Sequence, residues 1–427
     1  MNRRHFLAGT GAGLLFAAHA QAAVQQRKKL IFILADGGWD VTFAFDPKAD
    51  VPEIAGPEVD LTEDPDDAEY VSTLHGMPLA LNDFKRPNVT TFFKTWGSRT
   101  AIVNGIHVGA IGHAPARMRM ITGAPQVQRR PDLATITGSV HGQDLTMGCL
   151  LLSPLAVPMH LAPSTVVVGA RNQLVALLDD KNGYPAPVSS GLNYPLYTPN
   201  DQATRAIEAF HQRRLTAMGA AWDGPGRSAE RIAQLQESTD RAKALRSEVN
   251  LLSNTLNVGT SPTFMLSSIV AVDLLEQGVC HSVFLDTGHQ WDTHIANVDQ
   301  HGMFNSTFNV LNSLASDLSA RNMLGDTLVV VVSEMTRTPR INVQAGKDHW
   351  PYTSALLLGG GTVGGQTLGA TGDNLNPLPV DYQTGQTDDK SDKVLTFEAF
   401  NAGLMERLDV DPAEWLPGAP IWRGGTV

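Results

Sequence analysis

The chain has 427 residues, with 32 Lys and Arg against 43 Asp and Glu, a formal net charge of −11 and 42% hydrophobic residues. Such a composition is globular rather than disordered, and an acidic surface repels phosphate backbones and anionic lipid, so nucleic-acid binding is not expected. The length admits two or three domains or one large α/β unit.

Asn2-Arg3-Arg4-His5-Phe6-Leu7 opens the chain. A modest apolar run follows to Ala18, weakened by Gly9, Gly11 and Gly13, and then small-residue cleavage positions at Ala18-His19-Ala20 and Ala20-Gln21-Ala22. This is the three-part layout of an export signal. The paired arginines and the low hydrophobicity behind them resemble the twin-arginine type, whose substrates are exported folded, often with a metal or cofactor already loaded. Residues 1–22 are expected to be that signal, read by the twin-arginine export machinery, and residues 23–427 a single α/β domain in the periplasm or secreted. No run reaches the ~20 apolar residues that span a bilayer, so no stable membrane insertion is expected.

Leu30 to Ala35 is a continuous apolar run without alternation, the pattern of a strand buried on both faces of a parallel sheet. Asp46 to Glu69 then packs ten acidic residues around four prolines, an acidic loop insertion near the end of the first strand. Further strands are predicted at Thr100 to Val103, Thr165 to Val168, Ser282 to Leu285, Thr327 to Val332 and Ala355 to Leu358. Arg227 to Leu252 reads as an exposed charged helix on the rim of the sheet. Helices are also predicted over Pro262 to Gln277 (capped by Ser261 and stopped by Gly278), Phe304 to Asn322 and Phe397 to Leu408. Strands alternating with helices indicate an α/β sandwich. The pairing of Cys149 and Cys280 stays open, Cys280 reading as a buried structural thiol.

In open α/β sheets ligands bind beyond the carboxyl ends of the strands. There the chain places Asp36-Gly37-Gly38, then Asp292-Thr293-His294, then Ser333-Glu334, and finally Asp348-His349 behind a glycine turn. Carboxylates and imidazoles at successive strand ends suit a divalent cation, Zn²⁺ or Mn²⁺ ahead of Ca²⁺ or Mg²⁺. Asp36, Asp292, His294, Glu334, Asp348 and His349 are the expected ligands. Singly, each has another role open to it: Asp36 as a turn cap, Asp292 with His294 as a hydrogen-bonded pair, Glu334 as an ion-pair partner of Arg337.

These endings resemble the alkaline phosphatase and sulfatase superfamily. His113-Ala114-Pro115-Ala116-Arg117 to Thr122-Gly123 follows the spacing of Pro, Arg and Thr-Gly in the sulfatase signature Cys-x-Pro-Ser-Arg-x-x-x-x-Thr-Gly. With Trp-Asp-Thr-His, Ser-Glu-x-x-Arg-Thr-Pro and Asp-His-Trp-Pro, the set resembles a secreted bacterial branch of that superfamily grouped as domain of unknown function 1501. The resemblance implies an alkaline-phosphatase-like sandwich, with a mostly parallel central sheet and helices on both faces. It also implies a metal-dependent hydrolase of phosphate or sulfate esters, acting on a small anionic ester or a sulfated or phosphorylated glycan.

The departures matter equally. His113 stands where the superfamily carries its oxygen nucleophile, and Gly105 to Ile121 contains no Ser, Thr or Cys. Metal-activated water is then the simplest attacker and a covalent adduct on His113 the second, with Arg117 and Arg337 steadying the anion. Ser333-Glu334-Met335 replaces an expected Asp-His, so an imidazole is missing unless His107 or His113 supplies it. The alternative is a non-catalytic secreted protein of the same fold that binds a glycan or an envelope partner.

Overall fold

The computed structural model describes residues 27–57, 68–167, 201–221, 228–233, 235–237, 240 and 263–426. The export signal, Val168, residues 58–67 of the 46–69 insertion and most of the 227–252 helix lie outside those residues, and the described parts of that helix, 228–233, 235–237 and 240, are helical.

Among the described residues the central sheet has eight strands. In chain order they are β1 (Lys29–Leu34), β4 (Thr100–His107), β5 (Cys149–Leu151), β6 (Thr165–Val167), β7 (Ser282–Asp286), β8 (Thr327–Val332), β11 (Tyr352–Gly359) and β12 (Gln366–Leu368), arranged β12-β4-β11-β8-β1-β7-β5-β6. β2 (Tyr70–Leu74) and β3 (Met77–Leu81) form a separate hairpin, and β9 (Thr336–Arg337) pairs with β10 (His349–Trp350) as a short ribbon. Every pairing in the large sheet is parallel except those of β11, which runs antiparallel to both β4 and β8. The 332–352 connection returns at the end of the sheet it left and contains no crossover helix, so its two strands must oppose one another.

The β1 sequence reports this environment directly. Ile31 and Ile33 face one core with Val283, Leu285, Val329 and Val331, while Leu30, Phe32 and Leu34 face the other with Phe284, Val330 and Val332. The first core is closed by α1 (Pro87–Trp96), α5 (Phe264–Glu276) and α6 (Gln300–Ala320). The second is closed by α2 (His113–Thr122), α3 (Leu133–His141) and α7 (Phe397–Arg407). Further helices among the described residues include α4 (Asp201–Ala221) and the single turn α8 (Pro412–Trp415). The expected α/β sandwich, mostly parallel with helices on both faces, is the one observed.

Two helix starts differ from expectation. α5 begins at Phe264 because Thr263 Oγ1 accepts from the Leu266 N–H at 3.3 Å, and α6 begins one turn before Phe304 because Gln300 and His301 are themselves buried. Cys149 and Cys280 are both buried and free. Among the described residues, no helix is long and apolar enough to cross a membrane.

Candidate metal centre

The site lies where β1, β7 and β8 end and where β11 begins. Asp36-Gly37-Gly38 leaves β1 with φ of 117° at Gly37 and 87° at Gly38. The room that the two glycines leave is filled by protein. A Cβ on Gly37 would sit 2.7 Å from the Asp292 backbone nitrogen, so the glycine lets the 291–292 segment from β7 dock against the end of β1. Arg337 completes the joint. It is fully buried, donating from Nε to Gly38 O at 2.7 Å, from Nη1 to Lys347 O at 3.1 Å, and from Nη2 to Gly37 O, to Trp291 O at 2.8 Å and to Asp292 Oδ1 at 2.8 Å. Completely buried among these five protein acceptors, Arg337 holds Asp292 instead of steadying an anion. Its partner is Asp292 and not Glu334.

α2 brings two side chains to the crevice from one face, because His113 and Arg117 are four residues apart. Arg117 grips Asp36 with two parallel bonds, Nε to Oδ1 at 2.7 Å and Nη2 to Oδ2 at 2.9 Å. Burial, followed by the neighbouring Glu334 charge, raises the Asp36 pKa against the pull of Arg117. Glu334 is completely buried, and its Oε1 accepts from the Gly37 N–H at 2.8 Å and faces His113 Nδ1 at 2.8 Å. This bond is the largest cause of a raised His113 pKa, outweighing burial. Of His107 and His113, His113 is the one whose ring meets this carboxylate.

Three imidazoles now face one carboxylate. His113 Nδ1 is 2.8 Å from Glu334 Oε1, His349 Nδ1 is 2.6 Å from Ile111 O, and His294 Nδ1 is 2.9 Å from Asp348 Oδ1. Each of these partners is an oxygen acceptor, so each Nδ1 donates a proton to it, and a cation bound at Asp292 would find each Nε2 positioned to offer it a lone pair. Those Nε2 atoms converge on Asp292: His113 at 3.2 Å from Oδ2, His349 at 3.1 Å and His294 at 3.2 Å from Oδ1. His294 Nε2 and His349 Nε2 are also only 2.9 Å apart. His113 Nε2 is buried and makes no hydrogen bond. Burial opposes the Asp292 charge, but Arg337 and then His349 overcome it and hold the carboxyl at about 2. Ligand atoms of His113, Asp292 and His349 all lie within 4.8 Å of one another, a set able to hold a metal ion. The donor chemistry fits a divalent cation: one ionised carboxylate and lone pairs of imidazoles oriented from behind.

The sequence-expected ligands therefore share one crevice with divided positions. Asp292 and His349 belong to the convergent group, His294 adjoins it, and His113 joins it. Asp36 and Glu334 face Arg117 and His113, and Asp348 faces His294.

Sequence reasoning missed the buried layer beneath. Lys347 Nζ and Asp40 Oδ2 form a fully buried ion pair at 2.6 Å, joined by Asn297 Nδ2 at 2.8 Å and by Gln300 Oε1, which accepts from the Asp40 N–H at 2.6 Å. The only local signal was position, two residues past a glycine pair and one before Asp348. A hollow of about 660 Å³ lies elsewhere, against Asp46, Lys48, Glu69 and Asn104. Lys48 is spent there on Asp46 at 3.1 Å and Thr371 O at 2.8 Å.

Solved structures resemble this chain at low identity. A sulfatase from a Pseudoalteromonas species is 9% identical, with 93% of this chain and 70% of that chain covered and a TM-score of 0.39. A protein in the alkaline phosphatase superfamily from Vibrio parahaemolyticus is 9% identical, with 93% and 69% covered and a TM-score of 0.40. The phosphonate monoester hydrolase of Agrobacterium radiobacter is 13% identical, with 93% and 79% covered and a TM-score of 0.34. No curated protein matches the sequence significantly. The family described as "Protein of unknown function (DUF1501)" matches residues 27–414, and the chain belongs to that family.

Proposed function

We propose that the protein is an exported, metal-dependent hydrolase of phosphate or sulfate esters. The observation that carries this reading is the convergence of the His113, His294 and His349 Nε2 atoms on ionised Asp292, with every Nδ1 committed to an oxygen behind it. His113, Asp292 and His349 would hold a zinc or manganese ion, with His294 as an adjoining donor. Such an ion supplies Lewis acidity toward an ester oxygen and toward water. Glu334 fixes the ring of His113, Arg337 fixes the carboxylate of Asp292, and Asp348 fixes the ring of His294. Arg117 uses Nε and one Nη2 proton on Asp36, which leaves it donors for one anionic oxygen. No side-chain hydroxyl or thiol stands at the position of His113, which favours water over a covalent ester as the route.

The test is metal analysis of protein purified without chelator, together with hydrolysis of 4-nitrophenyl sulfate, 4-nitrophenyl phosphate and bis(4-nitrophenyl) phosphate across a panel of divalent ions. The double variant His113→Ala, His349→Ala should lose the ion and more than about a hundredfold in turnover, with its far-UV dichroism retained. Wild-type protein that takes up no divalent ion, or a double variant that hydrolyses as well as wild type, would refute the reading.

A further inference from the structure

We infer that the crevice takes a singly charged ester bearing an apolar alkyl or aryl group, in preference to a dianionic monoester or a multiply charged glycan. The inference deepens the hydrolase reading above and rests on it. Two observations carry it, the charge balance of the crevice and the exposed aliphatic residues beside it.

Four carboxylates meet in the crevice, from Asp36, Asp292, Glu334 and Asp348, and the guanidiniums in contact with them are Arg117 and Arg337. The surplus of two negative charges is what one divalent ion cancels, with the imidazoles neutral as ligands. Lys347 adds nothing, because its charge is consumed by buried Asp40. Arg337 has no outward donor and Arg117 is already opposed by Asp36, so a second negative charge on a substrate would meet no cation of its own.

Three exposed aliphatic residues stand beside the site residues, next to them in the chain or across a hydrogen bond. Ile111 is 60% exposed, Ile295 61%, and Val343 completely exposed. All three are tied by backbone to the metal-facing histidines. Ile111 O accepts from His349 Nδ1 at 2.6 Å, and Ile295 follows His294 and bridges to Ala345. Asn342 Nδ2 donates to His294 O at 3.0 Å, and Asn342 Oδ1 accepts from the Gln344 and Gly346 N–H groups at 2.9 and 3.1 Å, which folds the turn bearing Val343 onto the same segment. The turn seats so closely that a Cβ on Gly346 would lie 1.9 Å from His294 O. Isolated exposed aliphatics need no explanation, but β-branched side chains fixed around one polar crevice offer an apolar shelf to whatever enters it.

The experiment is calorimetric binding to the full chain, with zinc and with chelator, of methyl sulfate, hexyl sulfate and methyl phosphate at pH 8. The zinc-loaded protein should bind hexyl sulfate at least tenfold more tightly than methyl sulfate, and methyl sulfate no more weakly than dianionic methyl phosphate. In the variant Ile295→Asn, Val343→Asn, the ratio of hexyl to methyl affinity should fall toward one with an unchanged melting midpoint. Equal affinities for the two sulfates, tighter binding of methyl phosphate, or an unaltered ratio in the variant each overturns the inference. Turnover of bis(4-nitrophenyl) phosphate and 4-nitrophenyl phosphate on the same samples separates the two failures. Faster cleavage of the dianionic monoester overturns the preference and leaves a hydrolase, whereas cleavage of neither of them nor of 4-nitrophenyl sulfate overturns the hydrolase reading and the inference with it.

Discussion

β7 has histidines at both ends, in opposite surroundings. Beyond its carboxyl end, His294 joins His113 and His349, whose Nδ1 atoms meet carboxylate or carbonyl oxygens while their Nε2 atoms stay free of backbone partners. At its amino end, His281 stacks near His141 with ring centroids 5.1 Å apart, and the polarity is reversed: Nε2 is the bonded atom, to Lys28 O for His281 at 2.9 Å and to Leu408 O for His141 at 2.7 Å. Burial, then His141, and then the Lys29 and Arg27 charges push His281 down to about 4, although its bond to Lys28 O opposes them. Glu334 instead raises His113. The same side chain sits among carboxylates at one end of a strand, where its charged form is favoured, and as a neutral packing group among cations at the other. What differs is the charge that each sheet edge collects.

The strongest way to break this comparison is to remove the support of the carboxyl end. Lys347→Met would leave Asp40 as an uncompensated charge in a fully buried site, and a loss of about 3–5 kcal/mol in urea denaturation is expected. A loss under ~1 kcal/mol, within the range of ordinary surface changes, would mean that the buried pair does not hold the crevice together.

The two ends should also answer pH with opposite slopes. His281 titrates at about 4 in the fold against about 6.5 when unfolded, so the unfolded chain binds more protons between those values. Stability should therefore fall as pH is lowered from about 6.5 to about 4, by up to about 3 kcal/mol, and His281→Gln should flatten that limb in denaturant titrations. His113 works the other way. Its folded pKa is raised, so its contribution is complete below about 6.5 and is lost as pH rises through the folded value. An acid limb unchanged in His281→Gln would contradict the account of the amino end.

The smallest expected effect sharpens the distinction. Zinc at a hundredfold over its dissociation constant should stabilise the wild type by about 2.7 kcal/mol. The gain should persist in His281→Gln and vanish in the double variant His113→Ala, His349→Ala. A zinc-dependent rise in melting temperature of equal size in both would place the ion outside the crevice.

The strands were legible where both faces are buried, since only there does the chain read as an unbroken apolar run, as in β1 and β8. β5 escaped notice because Cys149–Leu151 is too short to show any period, and the β2–β3 hairpin because Tyr70–Leu74 is mostly exposed on an edge of its own. The crevice was legible as a set of strand ends, which the topology of a parallel sheet gathers on one side. The role of each residue within it was not. His349 lies opposite Arg337 because β10 pairs with β9 in that register. Arg337 chooses Asp292 over the adjacent Glu334 because the Gly37–Gly38 turn carries the 291–292 backbone against it.

By itself, then, the sequence determined the α/β class, the gathering of carboxylates and imidazoles at the strand ends and the absence of Ser, Thr and Cys from Gly105 to Ile121, because periodicity and residue type are local properties. Only the tertiary structure decided that His113 converges with Asp292 and His349, that Arg337 is spent inward and that Lys347 meets Asp40. Those outcomes depend on distances between segments up to 307 residues apart, set by strand register and by which donor reaches each acceptor first.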